Sequence, residues 1–150
     1  MERDLSAMTP AELRCLRKFE LGMSITELGV VLGLDARAAP PAPGEPALAR
    51  SVRKFEPLSE RTVRRWETGA QPISKPNSEA FARLLAYTDQ AVAALVDAYR
   101  PGRPILTYAT DEALHQAEPD LWPSLPASWH SAVAWRAKEQ IPGATVDYSG

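Results

Sequence analysis

Residues 59–69 read SERTVRRWETG, and the fold turns on what this stretch belongs to. Ser59 suits the start of a helix, because its hydroxyl accepts from the free backbone N–H groups of a first turn. Gly69 suits the stop, where a left-handed residue closes the helix without a Cβ clash. Val63 and Trp66 recur at helical spacing as an inward face, leaving Glu60, Arg61, Arg64 and Arg65 outside. A helix this short is not stable alone and needs a neighbour to cover its apolar side. Residues 38–57, immediately upstream, hold five prolines and supply no such neighbour.

The neighbour lies further back. Ser24, with Glu27 three residues on, forms a capping box. Leu28, Val31 and Leu32 give the buried face of a helix, Gly29 is small where a neighbouring helix can come close, and Gly33 stops it. With residues 35–57 omitted the text becomes MSITELGVVLGL–LSERTVRRWETG, a helix-turn-helix whose turn carries the insertion. Such an interruption is tolerable, since each doubling of a loop costs only about 0.6 kcal/mol. Thr9-Pro10-Ala11-Glu12 starts an earlier helix, with Leu13, Cys15, Leu16, Phe19 and Leu21 as its apolar stripe through about Glu20. Cys15 reads as a core thiol, and Gly22 ends that helix. Within the insertion, Ala47 to Phe55 suits a short basic helix before Pro57.

After Gly69, a cap at Asn77 or Ser78 opens two helices or one bent one, with Phe81, Leu84, Leu85, Val92, Leu95, Val96 and Tyr99 as core. Residues 100–104 mark a boundary. The tail reads as a strand over Ile105–Ala109, a short helix from Asp111-Glu112, and a loop through Pro126. A helix over Ser128–Gln140 follows, with Trp129, Ala132, Val133 and Ala137 on one face, then a strand over Ala144–Tyr148. Two short strands and one long helix are marginal alone, which implies completion by a second copy.

These motifs resemble a known family. TPAELRCLRK, TELGVVLG and SERTVRRWETG are similar to the xenobiotic-response-element or lambda-repressor-like regulators, and the tail resembles the small C-terminal domain of anti-CRISPR-associated autorepressors. The resemblance implies a mainly α fold: a lambda-repressor-like helix-turn-helix DNA-binding domain over 9–100, with the interrupted turn at 35–57, and an α/β dimerisation domain over 104–150. It also implies a homodimeric transcriptional repressor, autoregulatory, on an inverted repeat of double-stranded DNA. Matched residue by residue, Glu60, Arg61 and Arg65 fall at base-facing positions, where arginine suits guanine. Ser59, Thr62 and Arg64 fall where phosphate contacts are usual, with Arg53 and Lys54 of the insertion beside them. Ile105, Tyr108, Trp129, Val133, Val146 and Tyr148 would form the dimer contact. The chain departs from the family at Ile25, which stands where a phosphate-touching glutamine is usual.

Charge distribution agrees with this reading better than net charge does. The chain carries −2 overall, yet Arg50, Arg53, Lys54, Arg61, Arg64 and Arg65 face only Glu56 and Glu60 between positions 50 and 65. The last fifty residues are acidic. No apolar run approaches the roughly 18 residues of a membrane span, and MERDLSAMTP lacks the basic-then-apolar order of a signal peptide. A cytoplasmic protein without membrane association is expected. His115 and His130 are too far apart to suggest zinc, and no phosphate-cradling glycine loop, nucleophile turn or paired carboxylate occurs. No metal, no cofactor and no enzymatic activity are therefore expected. Two other readings stay open: an antitoxin-like protein-binding module, and a regulator that also binds RNA through the basic insertion.

Overall fold

Thr9 and Glu12 cap one another reciprocally, side chain to backbone, at 3.0 and 3.1 Å, and start α1 (Pro10–Cys15). The Thr9 backbone N–H holds the Glu12 carboxyl below its ordinary range. The computed structural model describes residues 4–38 and 55–150. Among them are six α-helices and one two-stranded sheet, so the fold is mainly α.

The end of the first helix differs from the sequence expectation. From Leu16 to Glu20 the backbone widens into a π-turn, with Leu21 N–H donating to Leu16 O at 3.0 Å. Leu13, Leu16 and Leu21 are buried as expected, but Arg17 joins them, while Cys15 is exposed and Phe19 is 71% exposed. The reason is rotational: two residues correspond to about 200° around a helix, so Cys15 points away from the side that Leu13 takes. Gly22 then turns the chain at φ +63°. A Cβ there would sit 2.7 Å from the Ala132 Cβ and 2.8 Å from the Ser128 carbonyl oxygen, so only glycine fits the approach.

α2 (Ile25–Gly33) has the expected Ser24–Glu27 capping box. α3 (Glu60–Thr68) is capped by Ser59 and closed by Gly69 at φ +80°. α4 (Lys75–Ala98) is a single helix of 24 residues, not two, and its cap is Ser74 rather than Asn77 or Ser78. Pro76 is accommodated inside the first turn, where a missing N–H costs nothing. The expected basic helix over Ala47–Phe55 lies almost wholly outside the described residues.

The tail holds β1 (Ile105–Thr107), α5 (Asp111–Ala117), α6 (Ala127–Glu139) and β2 (Val146–Tyr148), with the strands shorter than expected. The strands pair in parallel, with Ile105 opposite Val146 and Thr107 opposite Tyr148. From the sequence, the apolar face of α6 is expected to meet a second copy. It is covered instead within the chain, because α6 lies against α4: Trp129 is fully buried and its indole N–H donates to Thr88 Oγ1 at 2.9 Å. Tyr87 stacks on Trp122 at 4.1 Å between ring centroids. One hydrophobic cluster therefore runs from Leu13 and Leu28 through Phe81 and Leu84 to Trp129 and Val133, across the boundary at residues 100–104.

Behind β1 sits a polar knot. His130 is buried, with Nδ1 2.9 Å from Thr107 Oγ1 and Nε2 3.0 Å from Glu118. The hydrogen bond from His130 holds the Glu118 carboxyl below its ordinary 4.5, against the opposing effect of burial. Burial, with Glu118 adding to it, pushes the Tyr108 phenol up. A carboxylate with a depressed folded pKa stabilises above its unfolded value and loses that contribution as pH falls through the folded one. Wild type should therefore exceed Glu118→Gln in melting temperature above about pH 4.5, and the gap should close below it. A gap constant from pH 7 to pH 3 would show that the carboxylate charge contributes nothing to holding α5 on α6.

Candidate nucleic-acid interface

α3 is placed by what lies beneath it. Val63 and Trp66 are buried in the core. Leu58, just before the helix, donates its N–H to Gly29 O at 2.9 Å, so the chain returning from residues 39–54 docks on α2. Gly29 and Gly33 make this docking possible: a Cβ at Gly29 would lie 2.6 Å from the Leu58 carbonyl oxygen, and one at Gly33 would lie 2.0 Å from that of Glu56. Replacing Gly29 with alanine should cost about 1–3 kcal/mol by overpacking, outweighing the roughly 1 kcal/mol that alanine gains in a helix. Urea unfolding reads this, and unchanged or increased stability would show that the Leu58 segment yields freely.

The other end of α3 is tied to the first helix by a pair that sequence reasoning missed. Arg17 Nε lies 2.6 Å from Glu67 Oε2, its Nη2 donates to Glu67 Oε1 at 2.9 Å, and its Nη1 donates to Met23 O at 3.0 Å. Both side chains are nearly buried, at 9% and 7% exposure. An arginine inside the leucine stripe of the first helix was the available signal, because a buried guanidinium requires a carboxylate partner. Planar, two-point geometry fixes orientation as well as distance.

On the outer face the expected contact residues fall into two groups. Arg61 and Arg65 are exposed, and their guanidiniums have no partner among the described residues. Glu60 is exposed but engaged by side chains of its own chain, accepting from Arg64 and, at 3.2 Å, from Thr26 Oγ1. Arg64 is correspondingly in an ion pair along its own helix. Ser59 spends its hydroxyl on the helix start, accepting from Thr62 N–H at 3.2 Å and lying 2.9 Å from Thr62 Oγ1. Glu60 thus sits at the positive end of the helix as an internal ligand. Arg53 and Lys54, with Arg50, lie outside the described residues. Ile25 is half-buried against the core.

No protein-family model, no curated protein and no solved structure matches this chain. The geometry of the site stands on its own.

The base of the insertion is anchored on one side as well. Residues 34–38 form a turn on the core, with Ala36 buried and its carbonyl oxygen accepting from Arg83 Nε at 2.8 Å. Asp35 accepts from the Ser124 backbone N–H at 2.7 Å and from its hydroxyl, and Arg37 donates to Asn77. The described part of the expected 35–57 insertion is therefore held at both ends, at 34–38 and at 55–58.

The six residues expected at a dimer contact do not form one surface. Ile105, Trp129 and Val133 are buried in the core of the single chain and offer no side chain to a partner, because α4 and the sheet already cover them. Tyr108 and Val146 are half-buried. Tyr148 is 62% exposed, and Leu106 and Trp135 are the other large apolar side chains of the tail that reach solvent. Among the described residues no group of three metal-ligating side chains occurs, and no helix is long and apolar enough to cross a membrane.

Proposed function

We propose that the chain is a sequence-specific, DNA-binding transcriptional repressor of the helix-turn-helix kind, with α2 and α3 as its two motif helices. One observation carries the reading: Arg61 and Arg65, with no partner among the described residues, stand on the outer face of a helix whose inner face and last turn are locked to α2 and the first helix. A rigid helix presenting such arginines suits the major groove, where guanine O6 and N7 accept a guanidinium on two points. Arg64 and the insertion residues Arg50, Arg53 and Lys54 supply phosphate attraction, which makes affinity fall steeply with salt, and Thr62 adds a neutral phosphate contact. The exposed Leu106 and Tyr148 at the small sheet leave apolar surface for a second copy, which supports a homodimer on an inverted repeat. Two such helices about 34 Å apart would cover a promoter and block its use, including the chain's own promoter.

Selection of bound duplexes from a random pool tests this. The expected product is an inverted repeat with half-sites about one helical turn apart. An unenriched duplex pool beside an enriched RNA pool would replace the reading with RNA binding. Failure of both would point to a protein partner.

A further inference from the structure

A groove of about 370 Å³ opens between the last turn of α4 and β1, far along the chain from the arginines of α3. Its wall is apolar, made by Leu95, Ala98, Tyr99, Ile105 and Leu106. Its volume falls at the lower end of small-molecule sites, which run from about 300 to 1,000 Å³. The polar side of the lining is Tyr108, Glu118 and His130, the knot already described, and it is fixed: both ring nitrogens of His130 are engaged, and Tyr108 packs edge-on to the imidazole at 5.0 Å. Glu118 is thereby occupied by His130.

Arg100 and Arg103, which also line the groove, are exposed and have no acidic partner among the described residues. Arg100 Nη1 donates to the carbonyl oxygens of Ala98 and Tyr99, at 3.4 and 3.1 Å, which leaves its remaining donors unused. An apolar trough bordered by two uncompensated guanidiniums is complementary to a molecule with an apolar body and one anionic end. We propose that this groove binds a small amphipathic carboxylate, its chain or ring on the Leu95–Leu106 wall and its carboxylate on Arg100 and Arg103. The site makes no use of α3 and so stands or falls separately from base reading. It shares Leu106 with the surface left for a second copy, so the chain's mass in solution is measured beside the titrations to tell the two apart.

Backbone amide NMR titrations with octanoate, 1-naphthoate and the neutral octanol test it on the full chain. Saturable shifts at Leu95, Leu106, Tyr108 and His130 are expected for at least one carboxylate, with affinity about tenfold or more above that of octanol. A preference for octanoate or for naphthoate identifies an aliphatic or an aromatic occupant. Arg100→Ala/Arg103→Ala should erase the advantage over octanol. Ala98→Trp, at an exposed position, should block all three ligands while leaving the amide spectrum elsewhere unchanged. Octanol binding as tightly as either acid, unsaturable shifts, or shifts unaffected by both variants would overturn the proposal.

Discussion

Replacing Glu67 with alanine should lower the unfolding free energy by about 3–5 kcal/mol, a large part of what a small domain has in total. The loss comes less from the missing attraction than from what remains. Arg17 is nearly buried beneath α3, and without Glu67 its guanidinium keeps only the Met23 carbonyl oxygen as a neutral acceptor. Water cannot replace the carboxylate without opening the contact between the first helix and α3. The diagnostic comparison is the double variant Arg17→Met/Glu67→Leu, which removes both charges and fills the space. It should recover most of the stability, as apolar substitution of a whole buried pair commonly does. Urea denaturation of wild type, single and double variants measures all three. A single variant within about 1 kcal/mol of wild type would mean that the pair is solvated in solution and that α3 is held by Val63 and Trp66 alone.

What the sequence made legible follows from where local chemistry decides the outcome. The caps at Thr9, Ser24 and Ser59 and the stops at Gly22 and Gly69 were readable because each is set by a few adjacent residues. The neighbourhood of α2 and α3 was readable through Gly29, where a missing side chain signals close approach. Cys15 lies about 200° around the helix from Leu13 and so off its stripe. Phe19 falls within the π-turn, whose widened phase leaves no mark in an apolar pattern. The Arg17–Glu67 pair spans fifty positions, and pairing across that separation is a product of tertiary structure. The burial of Trp129 and Val133 escapes sequence reading for a related reason. Trp129 and Val133 looked like an interface because the short strands could not cover them, but α4 does, and a helix from one half of a chain covering the other cannot be read from either half alone. The candidate contact residues divide likewise: Arg61 and Arg65 are on the open face that periodicity assigned them, while the engagement of Glu60 by Thr26 needed the three-dimensional crossing of α2 and α3.

That division makes the second expected effect specific. On the selected operator, Arg61→Ala and Arg65→Ala should each weaken binding by about fivefold to a hundredfold per half-site, the range for losing a two-point contact to a base. Binding to unrelated duplex should change far less, so the ratio of specific to non-specific affinity should collapse. Arg64→Ala is the contrast. Its guanidinium is already paired with Glu60 on the helix surface, a pair that costs only about 0.3–0.5 kcal/mol to break. Arg64 can therefore swing to a phosphate, and losing it should weaken specific and non-specific duplex together and reduce the salt dependence by about one ion. Fluorescence anisotropy at several salt concentrations separates these outcomes. Removal of Glu60 should free Arg64 and raise affinity for every duplex, because it deletes an exposed carboxylate from the first turn of α3. Equal losses for Arg61, Arg64 and Arg65 on all sequences would mean that α3 grips the backbone without reading bases, and that specificity, if any, resides elsewhere in the chain.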